Sequence, residues 1–189
     1  FMFCFLPPCD HVDLHTAYRR QRQMCIRSRY RVDQPAAIQS NLYIGQLVPP
    51  TGDAGSVDFD FANGVLGGEF TSRLNSNLRE DKHWSYGARS GAGSSVGPRL
   101  WSASAPVQID KTGEAMAEIQ RELADYASGK APASKDEVEG MEKVLTLTLP
   151  GAYETAGAVM GAIGGIVRYE RPDDYVTTLK QRTEAASLD

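Results

Sequence analysis

Apolar residues fall into step along this chain only from about Asp33 onward, and the period of the pattern then changes from segment to segment. In residues 38–48, IQSNLYIGQLV, the residues Ile38, Leu42, Ile44 and Val48 alternate onto one face, which predicts a half-buried strand. Pro49-Pro50 and Thr51-Gly52-Asp53 end it. Helical spacing follows: Phe59, Ala62, Asn63 and Leu66 share a stripe behind a cap at Ser56 or Asp58, and Gly67-Gly68 stop the helix. A second helix, starting near Phe70 or Thr71, puts Phe70, Leu74 and Leu78 on one side and leaves Arg73 and Arg79 for others.

Two further alternating segments, residues 84–93 and 99–109, flank SSVGP and predict antiparallel strands whose small residues approach a neighbouring backbone closely. Asp110 and Thr112 open a long helix with Ala115, Ile119, Leu123 and Tyr126 on its apolar stripe. Ser134 with Glu137 forms a capping box ahead of Val138, Met141, Val144, Leu145 and Leu149, and Pro150-Gly151 punctuate that helix. The Ala- and Gly-rich residues 153–167 are too few to span a bilayer and predict a closely packed interior helix. Asp173-Asp174 start a last helix through Leu179. The succession gives an α+β class, with a mixed, largely antiparallel sheet packed against helices. Helical patterning still runs at TEAASLD, so truncation at that end is expected.

Composition narrows the picture. A chain of 189 residues with 41% hydrophobic content can bury one substantial core. Its formal charge of -4, with no strongly basic segment in the body, argues against a nucleic-acid surface. The arginine-rich residues 18–31 are the exception, and read as a tail or gene-model artefact before a phosphate or lipid site. FMFCFLPPC at the front is broken by Pro7-Pro8 and lacks the positive start of a secretory signal. Residues 1–31 are therefore set apart, as an atypical segment that is disordered or artefactual, from a domain over residues 32–189. Cys4, Cys9 and Cys25 all lie in that front, so no disulfide scaffold holds the body. Cys9, His11 and His15 could turn toward one zinc ion on a helix, but a fourth ligand at suitable spacing is missing, and Asp10 and Asp13 read as solvated.

Few side chains in the body carry chemistry. There is no H-x-E-x-x-H, H-E-x-x-H or H-x-x-E-H helix, and no ordered Ser/His/Asp or Cys/His set. Gly67-Gly68 lack the lysine and hydroxyl of a phosphate cradle and read as a corner between helices. His83, beside Trp84, reads as a surface or packing residue, and Glu69 or Glu80 would be general bases only beside a metal or polarised water. Arg79 and Tyr86 offer more. With Arg79 in a last helical turn and Tyr86 on the next strand, a guanidinium and a phenol converge on one opening, where both can donate to a peptide carbonyl or its oxyanion. The competing reading pairs Arg79 with Glu80 or Asp81 and packs Tyr86 in the strand; the residues alone leave both open.

VDQPAAIQSNLYIG, followed by NGVLGGEFTSRLNSNLREDKHWSYG, resembles the non-catalytic homologous domain of the pitrilysin/insulinase family of zinc metallopeptidases, to which mitochondrial processing peptidase also belongs. The match runs from about Val32 to the end, and LGG-x-F-x-SRL, NLRE and the later Y-G are its most specific parts. The resemblance implies a LuxS/metallopeptidase-like half domain that closes with a zinc-bearing homologous domain or subunit around a chamber for a peptide or unfolded polypeptide. It also implies that Arg79 and Tyr86 are the catalytic pair contacting the substrate backbone, and that Arg73 is structural. No cofactor is implied for this chain; Zn2+ belongs to the partner, which carries H-x-x-E-H, so the chain alone should be inactive. Self-association is a further partner expectation, whereas nucleic acid and membrane are not expected. The resemblance suggests the periplasm, with the cytoplasm second. HWSYG departs from the usual glycine-containing approach to the tyrosine. A further strand-helix unit ahead of DQPAAIQS is implied too, so truncation at the front is expected as well. The alternative is a non-catalytic structural or peptide-binding protein of the same superfamily. An exposed edge at residues 38–48 or 99–109 would align a peptide by strand addition.

Overall fold

In the computed structural model, which describes residues 2–4 and 29–186, the described strands form one sheet. The strands are β1 (Met2–Cys4), β2 (Arg29–Tyr30), β3 (Gln39–Val48), β4 (Arg89–Ala92) and β5 (Arg99–Gln108), in the order β2-β1-β3-β5-β4. β3 and β5 pair antiparallel from Gln39 opposite Gln108 to Val48 opposite Arg99, and β4 adds antiparallel to β5. β1 runs parallel to β3, which makes the sheet mixed but largely antiparallel. Period-two alternation turns Leu42 and Ile44 of β3 and Trp101, Ala103, Ala105 and Val107 of β5 inward, where all are buried. The opposite face stays open, with Tyr43 and Leu100 at least half exposed.

Helices cover the inner face. α1 (Ser56–Asn63) continues into a π-helical turn (Gly64–Gly68), and α2 (Arg73–Asn75) continues into another (Ser76–Asp81). A 3-10 turn leads into α3 (Thr112–Ala127), whose Ala115 and Ile119 are buried against Leu74, Leu78 and the sheet. Next come α4 (Lys135–Leu147), α5 (Leu149–Ala152), α6 (Ala156–Arg168) and α7 (Tyr175–Glu184). The capping box at the start of α4 is formed: Ser134 accepts from the Glu137 N–H and Glu137 accepts from the Ser134 N–H. Met141 of α4 joins Phe61 and Val65 in a second, smaller core. Burying such side chains stabilises by about 1.5–3 kcal/mol each.

Several expectations are corrected. The strand expected over residues 84–93 is shortened to β4, because the N–H groups of Trp84 and Ser85 donate back to the Leu78 carbonyl instead of to a ladder. Ahead of β4, Ser85 is bridged to Val107 and the Trp84 carbonyl accepts from the Gln108 N–H. Phe70 leaves the apolar stripe: α2 begins after Ser72, which is extended, and Phe70 is 65% exposed while Leu74 and Leu78 are buried. The expected interior helix of residues 153–167 is α6, none of whose residues is buried. Small residues permit close approach but do not supply a partner, and among the described residues nothing lies within 4 Å of where a Cβ would stand at Gly157, Gly161, Gly164 or Gly165. The strand of residues 99–109 is not an edge, since β5 lies between β3 and β4, and β1 occupies the middle of the outer edge of β3. Cys9, His11 and His15, and most of the segment expected to be atypical, lie outside the described residues.

Candidate functional site

The site grows from a corner between two helices. At Gly67 an added Cβ would stand 2.4 Å from Ser90 Oγ and 2.8 Å from Ser90 N, so glycine is what lets the first π-helical turn lie directly on β4. Asn63 fastens the same contact: its Nδ2 donates to the Ser90 carbonyl, and its Oδ1 accepts from Ser90 Oγ and Trp101 Nε1. The free edge of β4 is thereby covered, and the chain leaves the corner toward Phe70 on the outer side.

Two buried or half-buried polar residues then set the helix that carries Arg79. Arg73 donates from Nε and Nη2 to both carboxylate oxygens of Glu137, at 2.6 Å each, and to the carbonyls of Ala131 and Pro132. Bidentate pairing of this kind is directional as well as attractive. Asn75, 3% exposed, donates from Nδ2 to the Phe70 carbonyl and accepts at Oδ1 from the Ala88 N–H. One side chain thus ties the helix to the loop bearing Tyr86.

That loop has a defined shape. His83 closes the second π-helical turn at φ 57, the left-handed region where glycine is favoured, and its Nδ1 lies 3.0 Å from the Arg79 carbonyl. Histidine here takes a backbone conformation that a glycine would take without strain. Ser85 Oγ sits 2.6 Å from the Pro106 carbonyl and 2.9 Å from that of Gly87, and accepts from the Gly87 N–H. Trp84 is flanked by Lys82 and Lys111, whose Nζ atoms lie 5.6 and 6.0 Å from its ring centroid.

Arg79 and Tyr86 line one cleft of about 640 Å³, together with Tyr43, Glu69, Phe70 and Arg89, and both also border an adjoining hollow beside His83. The guanidinium carbon of Arg79 stands 4.4 Å from the Phe70 ring centroid, and its Nε is 3.2 Å from Glu80 Oε1. Its two terminal nitrogens make no hydrogen bond among the described residues, and neither does the hydroxyl of Tyr86, which is 86% exposed. Pairing of Arg79 with Glu80 and access to the cleft therefore coexist, and Tyr86 is not packed in a strand. Phe70, Tyr43 and Arg89 were not legible as site residues: Phe70 looks like a helix-stripe residue and Arg89 is hidden among the small residues of its strand. A more apolar cavity of about 550 Å³ lies on the other side of the sheet, between Ile44, Trp101, Phe59, Leu123 and Tyr126.

An α+β half domain with an open cleft beside a helix corner is the class that these features define. The family model described as the peptidase M16 inactive domain matches residues 19–145, and the chain belongs to that family. The fold is that of solved relatives. An M16 inactive domain from Pseudomonas fluorescens superposes with a TM-score of 0.72 at 20% identity, covering 79% of this chain and 35% of that one. A protease from Helicobacter pylori gives 0.73 at 17% identity, covering 83% and 37%. A chain from Bordetella pertussis Tohama I, provisionally described as a zinc protease, gives 0.63 at 19% identity, covering 79% and 87%. This chain thus spans little more than a third of the first two. No curated protein sequence matches it.

Zinc is implied by the family. Among the described residues no three or more His, Cys, Asp or Glu side chains are grouped to hold a metal ion, so these residues do not fit a resident zinc. Among them, too, no helix is long and apolar enough to cross a membrane.

Proposed function

We propose that residues 32–189 form the zinc-free C-terminal domain of a metalloendopeptidase, which supplies a chamber wall and holds the substrate backbone while a homologous zinc-bearing domain or subunit performs hydrolysis. The observation that carries this is a pair of donors unpartnered among the described residues, the Arg79 terminal nitrogens and the Tyr86 hydroxyl, lining one cleft in a chain of the inactive-domain family. A peptide carbonyl entering the cleft would accept from both. As water attacks that carbonyl its oxygen gains charge, and donors already oriented by Asn75, Ser85 and the Phe70 ring would stabilise it without reorganising. Seating on Phe70 leaves the edge of the guanidinium, where its N–H groups lie, pointing outward. The open outer sheet face beside the cleft supports the chamber-wall part of the reading.

Mixing this chain with a homologous domain bearing H-x-x-E-H should yield peptide hydrolysis that neither shows alone. Arg79→Ala and Tyr86→Phe should each lower kcat by about 10²-fold or more, the usual cost of losing one oxyanion donor. A stable complex that never hydrolyses peptide would replace this proposal with a structural or peptide-binding role.

A further inference from the structure

The cleft contains a charge that backbone holding does not use. Arg89, the first residue of β4, lines it and is exposed, and among the described residues no carboxylate or carbonyl meets its guanidinium. Arg79 differs, being paired with Glu80. Strand register fixes where Arg89 lies: it stands opposite Ser104, which in turn stands opposite Tyr43. Arg89, Ser104 and Tyr43 therefore form a row across the open outer face of the sheet, because directly opposed residues share a face. That row contains no carboxylate. Glu69, the acidic residue lining the cleft, also borders the hollow against α4, which puts it on the far rim from the sheet.

We propose that Arg89 is a specificity-determining residue, selecting polypeptides that carry a carboxylate side chain close to the backbone held by Arg79 and Tyr86. The inference rests on the reading of that pair as backbone contacts. A peptide laid across the cleft would pass over the Arg89 row, and an Asp or Glu there would find a guanidinium free to form two parallel hydrogen bonds. A lysine would meet a like charge. The site is open to water, so the preference is modest and sensitive to salt.

The test measures fluorescence anisotropy of labelled extended peptides, identical but for one scanned position holding Glu, Gln or Lys, titrated with the whole chain. At about 0.05 M salt the best-placed Glu peptide should bind about two- to fivefold more tightly than its Gln counterpart, and about 0.5 M salt should erase most of the difference. Arg89→Gln should abolish the preference and Arg89→Glu should turn it toward Lys, with unchanged thermal unfolding confirming that both variants fold. Equal binding of Glu and Gln peptides at every position, or a Glu preference that survives Arg89→Gln, overturns the inference. If, in that case, Arg79→Ala or Tyr86→Phe still weakens every peptide, the proposed function stands without it. If no peptide binds the chain alone, the inference falls, and hydrolysis by the mixture with the zinc-bearing domain then decides the proposed function separately.

Discussion

Replacing Glu137 with glutamine removes one charge from the clamp that seats the Arg79 helix while leaving most of its hydrogen bonds possible. Glu137 accepts from Arg73 Nε and Nη2 at 2.6 Å and from the Ser134 N–H at 2.8 Å. Hydrogen bonding to Arg73, aided by Ser134 and opposed by partial burial, holds its carboxyl at about 2 instead of the ordinary 4.5. Worked as linkage, that fall would be worth about 3 kcal/mol for a sequestered pair. The Glu137 side chain is 32% exposed, however, and screening brings the expected contribution to about 1.5–2 kcal/mol. Because the folded value lies below the unfolded one, this stability is complete above about 4.5 and is lost as pH falls through about 2, with less than half left near pH 3. Urea unfolding of the parent and Glu137→Gln chains, followed by circular dichroism at about pH 7, 5 and 3, should show a gap at the first two values that narrows at the third. Equal stability at neutral pH, or a gap that stays constant down to pH 3, would refute the charge argument and leave the clamp as shape alone.

Glycine positions should respond in opposite senses. Gly67→Ala should lower stability by about 1–3 kcal/mol in thermal unfolding, since its Cβ would meet Ser90, whereas Gly161→Ala, in α6 with nothing among the described residues within 4 Å, should raise it by about 0.5–1 kcal/mol. Asn75→Ala strands the buried Ala88 N–H and should cost about 1–3 kcal/mol; amide exchange at residues 85–88 should quicken beyond that of the core strands. Met160→Glu falls on an exposed face of α6, and denaturant midpoints should place its effect within about 0.5 kcal/mol.

Much of the site was written in local pattern, and the rest was not, for identifiable reasons. The spacing of Arg79 and Tyr86 after Gly67-Gly68 marked a helix corner leading to a strand; Tyr86 stands in a loop ahead of β4 instead, yet both side chains do line one cleft. Their surroundings required distant chain. Phe70 reads as part of a stripe with Leu74 and Leu78 because i, i+4 and i+8 coincide on a helix, yet Asn75 captures its carbonyl and the helix begins three residues later. Trp84 to Tyr86 read as strand because they alternate, but the N–H groups of Trp84 and Ser85 are claimed by the Leu78 carbonyl of the preceding helix. Arg73 showed no local sign of being a clamp; its partners are 58 to 64 positions away.

The sequence by itself determined the α+β class, the inward faces of Leu42 and Ile44, the capping box at Ser134 and Glu137, and the family, since each rests on periodicity or on a contiguous motif; Ile38, expected on the same face, lies ahead of β3 and is 85% exposed. Tertiary structure decided which face meets what. Identical alternation makes β5 a central strand and would equally make an edge, and an Ala- and Gly-rich helix reads the same whether it is packed or, like α6, uncovered. Both depend on the approach of residues far apart in the chain, and so does the cleft, whose walls come from β3, the helix corner, the Tyr86 loop and β4 together.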